Sequence, residues 1–304
     1  MIVRSRPSLL ALFFILRGSI VRRIFPQILV TFGLSALVVA LHQERPALLP
    51  GFSGAPFALI GIALSVFLGF RNSACYDRWW EARRQWGQLV FLARNLARQS
   101  LVLEPGQAAA RRRLLGLAIG FAHALKRHLR PGAEAGRVRA HLTEAEFAAY
   151  EASRNPPDLL LRLLGAALAD LRAAGALGDI PFQMLDRTLC DMAGVQASCE
   201  RIRATPVPFA YTLLLHRTAY LFCFLLPFFL LGTLGWFTPF AAALVAYTFF
   251  GLDALGDELE EPFGTQPNCL PIAALAETIE INLREALGET GLPPLPAPRD
   301  HLLL

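Results

Sequence analysis

The chain has 304 residues, 54% of them hydrophobic and only 17% charged, with a formal net charge of +5 and a mean hydropathy of +0.43. That is too apolar for an ordinary soluble enzyme and too charged for a chain made only of membrane spans, so part of it belongs in a bilayer and part in water. Lys126 is the only lysine, and the arginine surplus is read as positive-inside anchoring rather than as a nucleic-acid footprint.

Arg4 and Arg6 precede an apolar run that imitates a signal peptide, but Arg17, Arg22 and Arg23 stand where small cleavage-site residues belong. Residues 1–23 are therefore expected to form an uncleaved amphipathic segment on the membrane surface. Four stretches have the apolarity to cross about 30 Å of hydrocarbon, which takes roughly 20 helical residues: 24–41, 57–70, 211–231 and 237–255. The second is short, and crosses only if protein or water shields its ends. Pro56 suits its first turn.

The connections 42–55 and 232–238 are short and nearly free of arginine, whereas 1–23 and 71–203 are rich in it. The positive-inside rule then places both termini and the middle region in the cytoplasm of a cell whose inner membrane holds the spans. The expected organisation is a 1–23 interfacial segment, spans one and two within 24–70, a helical domain over 71–205, spans three and four within 206–255, and a C-terminal segment 256–304 with a flexible tail. Within the middle region, 107–130, 143–154, 157–174 and 181–203 carry apolar residues at three- and four-residue spacing. Pro131-Gly132, Asn155-Pro156-Pro157 and residues 175–179 separate them.

Enzymatic motifs are absent: there is no Walker sequence, no G-x-S-x-G and no glycine fingerprint. Cys75, Cys190, Cys199, Cys223 and Cys269 are scattered without C-x-x-C, and the six histidines lack metal spacing. No metal site is expected from them.

The informative segment is 56–90, where an apolar helix continues without a break into a charged, aromatic one. Ile62, Val66 and Phe70 stand four apart and share a face. Such a stripe is common in ordinary packing, but Gly61, Ala63, Ser65 and Gly69 beside it would let helices approach closely. Repeated around a symmetry axis, the stripe makes an apolar neck that gates by dewetting. Arg71, Asn72 and Ser73 follow at the expected boundary, either as interfacial anchors or as a vestibule in which Arg71 pairs with an acid. Trp79, Trp80 and Trp86 read as interfacial belt and packing. Asp253, Asp257, Glu258, Glu260 and Glu261 form an acidic cluster that either binds a cation such as Ca²⁺ or pairs with arginines. His216 and Arg217 lie inside the third apolar stretch, where ionisable groups need protein or water to face.

Phe67-Leu-Gly-Phe-Arg-Asn-Ser73 and Tyr76-Asp-Arg-Trp-Trp-Glu-Ala-Arg83, with Thr205-Pro-Val-Pro-Phe-Ala-Tyr211 and Glu260-Glu-Pro-Phe-Gly264, resemble the bestrophins, over roughly residues 1–290. The resemblance implies an all-α membrane protein with four transmembrane helices per subunit, assembled as a homopentamer around one axial pore. Its neck is then Ile62, Val66 and Phe70, and its cytoplasmic aperture Ile180. Animal bestrophins are Ca²⁺-activated anion channels with a run of acids after Pro-Phe-Gly. Here Thr265-Gln-Pro-Asn-Cys269 puts Gln266 and Cys269 where two carboxylates are expected. No resident cofactor is therefore expected, Ca²⁺ being the one candidate. The partners implied are lipid, other copies of the chain and small inorganic ions, with no nucleic acid.

The ring edges of Phe70 carry partial positive charge and the vestibule is arginine-rich, so monovalent anions such as chloride are the favoured cargo. A sodium channel of the same fold is the alternative, and a non-conducting membrane scaffold or carrier is the rival from another class.

Overall fold

The computed structural model describes residues 1–4, 8, 10, 15, 18–46, 54–103, 105–132 and 136–303. Much of the expected N-terminal interfacial segment lies outside the described residues. Among those described the secondary structure is helical, with isolated backbone bridges such as Ile2 to Leu302 and no strand. The main α-helices among the described residues are, in chain order, α1 Val21–Glu44, α2 Gly54–Gln99, α3 Ala108–Leu129, α4 Gly136–Arg139, α5 Glu144–Ala152, α6 Pro156–Ala173, α7 Asp179–Ala204, α8 Phe209–Leu234, α9 Thr238–Glu260 and α10 Ile272–Ala286. The chain forms two compact units, one of residues 4–79 and 206–262, the other of 1–3, 80–205 and 263–304.

Among the described residues, three helical stretches are long and apolar enough to cross a membrane: Val21–Glu44, Gly54–Val102 and Phe209–Glu260. The third is divided by the 3-10 turn Gly235–Phe237 into α8 and α9. Gly235 closes α8 at φ +50°, a left-handed conformation that glycine adopts without penalty, and α9 opens with Pro239 in its first turn, where a missing N–H costs nothing. The two helices run antiparallel, because partners descend on one as they climb on the other: Phe222 meets Phe249 at 5.2 Å between ring centroids, Tyr220 meets Phe250 at 4.6 Å, and His216 meets Asp253.

In this first unit the core gathers Ile24 of α1, Phe57, Leu64 and Leu68 of α2, Leu215, Phe222 and Leu226 of α8, and Ala242, Ala246, Phe249 and Phe250 of α9. Phe57 stacks on Phe222 at 4.5 Å and on Phe229 at 4.0 Å. Gly61 makes that approach possible, since a Cβ there would sit 2.8 Å from the tip of the Phe222 ring. Its small side chain therefore serves the subunit's own core.

The second unit is organised around α3. Leu114, Leu115, Leu117, Ala118, Ile119, Phe121, Ala122, Ala124 and Leu125 are all buried, the pattern of a helix surrounded by protein, and α6, α7 and α10 pack against it. Local signals set the neighbouring helix starts. Thr143 and Glu146 form a capping box at α5, and Asn155 caps α6 ahead of Pro156 and Pro157. The four helices expected in the middle region fall within two residues of α3, α5, α6 and α7. The short α4 and the fifteen-residue α10 are additions to the sequence expectation. Beyond α10 the chain is extended, and its last described residues pair with the first, Val3 N donating to His301 O and Leu303 N to Met1 O at 2.9 Å each.

Candidate functional site

Helix α2 runs uninterrupted for 46 residues, ~69 Å at 1.5 Å per residue. Its apolar half buries a single stripe, Phe57, Leu64, Leu68, Arg71 and Cys75, at the three- and four-residue spacing of one helix face. Ile62, Val66 and Phe70 lie about 180° around the helix from that stripe at 100° per residue. They are 62%, 49% and 63% exposed in the isolated chain. Three apolar side chains, each large or branched, thus point directly away from the subunit's own core. Ser73 and Asp77 continue the same face and are exposed.

Arg71, one residue past Phe70, is 1% exposed. Its NH1 donates to Asp253 Oδ1 at 2.8 Å and to the Asp253 carbonyl at 3.2 Å, and its NH2 donates to Asp257 Oδ1 at 2.6 Å and Glu260 Oε2 at 3.4 Å. Those acids recur at intervals of four and three on α9, so one face of α9 meets one guanidinium. Asp253 also pairs with His216 Nδ1 of α8 at 2.7 Å, and Asp257 with Arg23 NH2 of α1 at 2.7 Å. The cluster ties all four long helices of this unit together. Gly256 is part of it, because a Cβ there would meet Asn72 Oδ1 at 2.8 Å and Arg71 NH1 at 3.1 Å.

The structure thus brings Arg71 together with Asp253, Asp257 and Glu260, and reveals Arg23 and His216 as further members. Glu258 is 7% exposed and 4.0 Å from Arg23. Glu261 has an interaction partner of its own, and Arg78 Nε donates to the Glu260 carbonyl at 2.6 Å. Asn72 packs beside this cluster with both side-chain polar atoms buried, while Ser73 is exposed on the stripe face. Among the described residues, no group of three or more His, Cys, Asp or Glu is arranged to hold a metal ion. The acids act as counter-charges to arginine here.

The second unit carries Ile180, the second residue of α7, 82% exposed. It also holds the Pro-Phe-Gly loop through Arg130. Nε donates to the Phe263 carbonyl at 3.1 Å, and NH2 to the carbonyls of Gly264 at 2.7 Å and Leu270 at 3.2 Å. Three carbonyls converging on one cation fix a loop that has no regular structure, and burial lowers the pKa of that guanidinium.

A profile described as "Bacterial/Fungal Bestrophin protein" matches residues 1–285. The chain belongs to the bestrophin family. It is 49% identical over 297 residues to a voltage-dependent anion channel-forming protein of Mesorhizobium japonicum, covering 98% of this chain and 96% of that one. A relative of the same description in Escherichia coli strain K12 is 41% identical over the full length of both. The crystal structure of a bacterial bestrophin homologue from Klebsiella pneumoniae superposes with a TM-score of 0.84 at 42% identity, covering 88% of this chain and 99% of that one. As a bestrophin the chain is a helical membrane protein, and its named relatives are channel-forming proteins rather than enzymes.

Proposed function

We propose that this bestrophin is the subunit of a homopentameric channel for monovalent anions such as chloride, with four transmembrane helices per subunit and one axial pore. The observation that carries the reading is the position of Ile62, Val66 and Phe70, exposed opposite the buried stripe of a helix long enough to span a bilayer. An apolar row that a subunit turns away from its own core either faces lipid or meets its copies. Five copies meeting at an axis make a neck that excludes water when narrow and conducts when slightly wider. Ile180 supplies the second apolar constriction, on the cytoplasmic side, and the Arg-rich second unit and both chain ends are cytoplasmic by the positive-inside rule. The membrane is the inner membrane of the cell.

Anion selectivity is supported by the Phe70 ring edges, by the names of the relatives, and by the consumption of the acidic cluster in arginine pairs. One observation favours the sodium alternative: Asp77 is exposed on the stripe face. Ca²⁺ takes no part in this reading, because the acids near the Pro-Phe-Gly loop already have cationic or other partners.

Two measurements test it. Light scattering in detergent is expected to return about five times the subunit mass of 33.4 kDa. A monomer has no axis and contradicts the pore. In planar bilayers under asymmetric sodium chloride, the reversal potential is expected to move toward the chloride equilibrium potential. Movement toward the sodium potential selects the cation reading, and an absence of current selects the scaffold.

A further inference from the structure

A cavity of about 510 Å³ opens in the second unit beside α3, α10 and the turn after α4. Its wall is largely apolar, formed by Ile119, Leu142 and Leu287, and arginines stand around it. Arg113 is committed elsewhere, to Glu146 and to the His141 carbonyl. Arg112 and Arg284 converge on the carboxylate of Glu289: Arg284 Nε donates to Oε2 at 2.7 Å, and Arg112 NH1 lies 3.7 Å from Oε1; the NH1 of Arg284 also reaches Glu280 Oε1 at 3.4 Å, leaving its Nε face to the cavity mouth. His141 adds an aromatic edge whose pKa is lowered by burial, so no further charge comes from it near neutral pH.

Glu289 is not part of a helix. It sits in the extended segment after α10, between Gly288 at φ +78° and Gly291 at φ +72°, two residues whose conformations glycine adopts freely. Arg112 is 67% exposed at its side chain, and Glu289 28%. Ion pairs so open to water hold weakly. The arrangement is two guanidiniums at the mouth of an apolar cavity, with a carboxylate from the segment that closes α10 drawn between them.

We propose that this cavity is a binding site for a small organic carboxylate with an apolar body, and that the Glu289 side chain is its built-in competitor. The ligand carboxylate takes the place of Glu289 between Arg112 and Arg284, and its hydrocarbon lies on Leu142, Leu287 and Ile119. Binding frees the Glu289 side chain, while its backbone N–H stays bonded to the Arg284 carbonyl at 3.1 Å. The inference does not depend on the channel reading, since every residue in it belongs to the cytoplasmic-type unit and none to the neck.

The test uses the full-length protein in detergent with radiolabelled benzoate in equilibrium dialysis. Removing a tethered competitor removes an effective concentration in the millimolar range, so Glu289→Gln is expected to bind benzoate at least about tenfold more tightly than the wild type. Adding Arg112→Ala to Glu289→Gln is expected to abolish that gain. Absence of saturable benzoate binding to Glu289→Gln overturns the proposal, as does equal affinity in wild type and variant. Inorganic phosphate competing as strongly as benzoate overturns the selection of an organic acid. A second measurement needs no variant: saturating benzoate is expected to slow phenylglyoxal modification of Arg112 in the wild-type protein, relative to chloride at equal ionic strength. An unchanged rate counts against the site.

Discussion

Phe70 and Arg71 are consecutive residues in opposite surroundings: Phe70 is 63% exposed and Arg71 1%. A helix turns about 100° per residue, so locking one of them aims the other. Arg71 is locked by carboxylates on α9, which α1 and α8 also engage through Arg23 and His216. The charge cluster therefore sets the rotation of α2, and with it the direction in which Phe70, Val66 and Ile62 point. In the proposed channel, the link between stability and function runs through that one helix turn.

Replacing Arg71 with methionine leaves Asp253 buried without its guanidinium, and breaking a buried pair from one side costs ~3–5 kcal/mol. The expected result is a markedly lower thermal unfolding midpoint in detergent. Adding Asp253→Asn is expected to restore part of the loss, since the double variant no longer buries a carboxylate that has lost its guanidinium. Equal midpoints for wild type and Arg71→Met contradict the clamp.

Gly61 and Gly69 lie on the same helix and are expected to respond differently to alanine. A Cβ at Gly61 meets the Phe222 ring at 2.8 Å, whereas nothing lies within 4 Å of one at Gly69. Overpacking of a stacked core ring costs ~1–3 kcal/mol, so Gly61→Ala lowers the unfolding midpoint and Gly69→Ala leaves it in place. The same thermal scan checks both.

Glu280 of α10 supplies a pH dependence outside the spans. Its Oε2 accepts a hydrogen bond from His123 Nε2 at 2.8 Å and another from Arg137 at 3.0 Å, and these hold its carboxyl at about 2, below an ordinary 4.5. A depressed folded-state pKa contributes stability that is complete above the unfolded value and is lost as pH falls toward the folded one. Glu280→Gln is thus expected to be less stable than wild type by a constant margin above about pH 5. The margin narrows below pH 4.5 toward pH 2. A margin that widens on acidification contradicts the assignment.

Much of this was legible in the sequence, and the limits have physical causes. Local apolarity, periodicity and punctuation located the long apolar helices and the helices at α3, α5, α6 and α7, because Pro, Gly and capping residues act within a few positions. The same rule could have found α10, where Ile272, Ala276, Ile279 and Leu283 repeat at helical spacing, but its proximity to a proline-rich tail hid it. The stripe on α2 was readable. That it faces away from the core was not, because that depends on which side of α2 meets Phe222 and Phe229. The spacing of Asp253, Asp257 and Glu260 puts three acids on one face, a pattern equally compatible with cation binding and with ion pairing until Arg71 is seen among them. Arg130 and Arg23 act across long separations in sequence, as does the Arg112–Glu289 contact, and no local pattern announces them.

The most direct test is the current carried by Val66→Ala and Phe70→Ala in planar bilayers, with Leu29→Ala, an exposed residue on α1, as a control. Trimming an apolar neck weakens its dewetting barrier, so conductance or open probability is expected to rise several-fold in the first two variants and to stay at the wild-type level in the third. Wild-type currents from both Val66→Ala and Phe70→Ala would contradict the placement of this stripe on the pore axis.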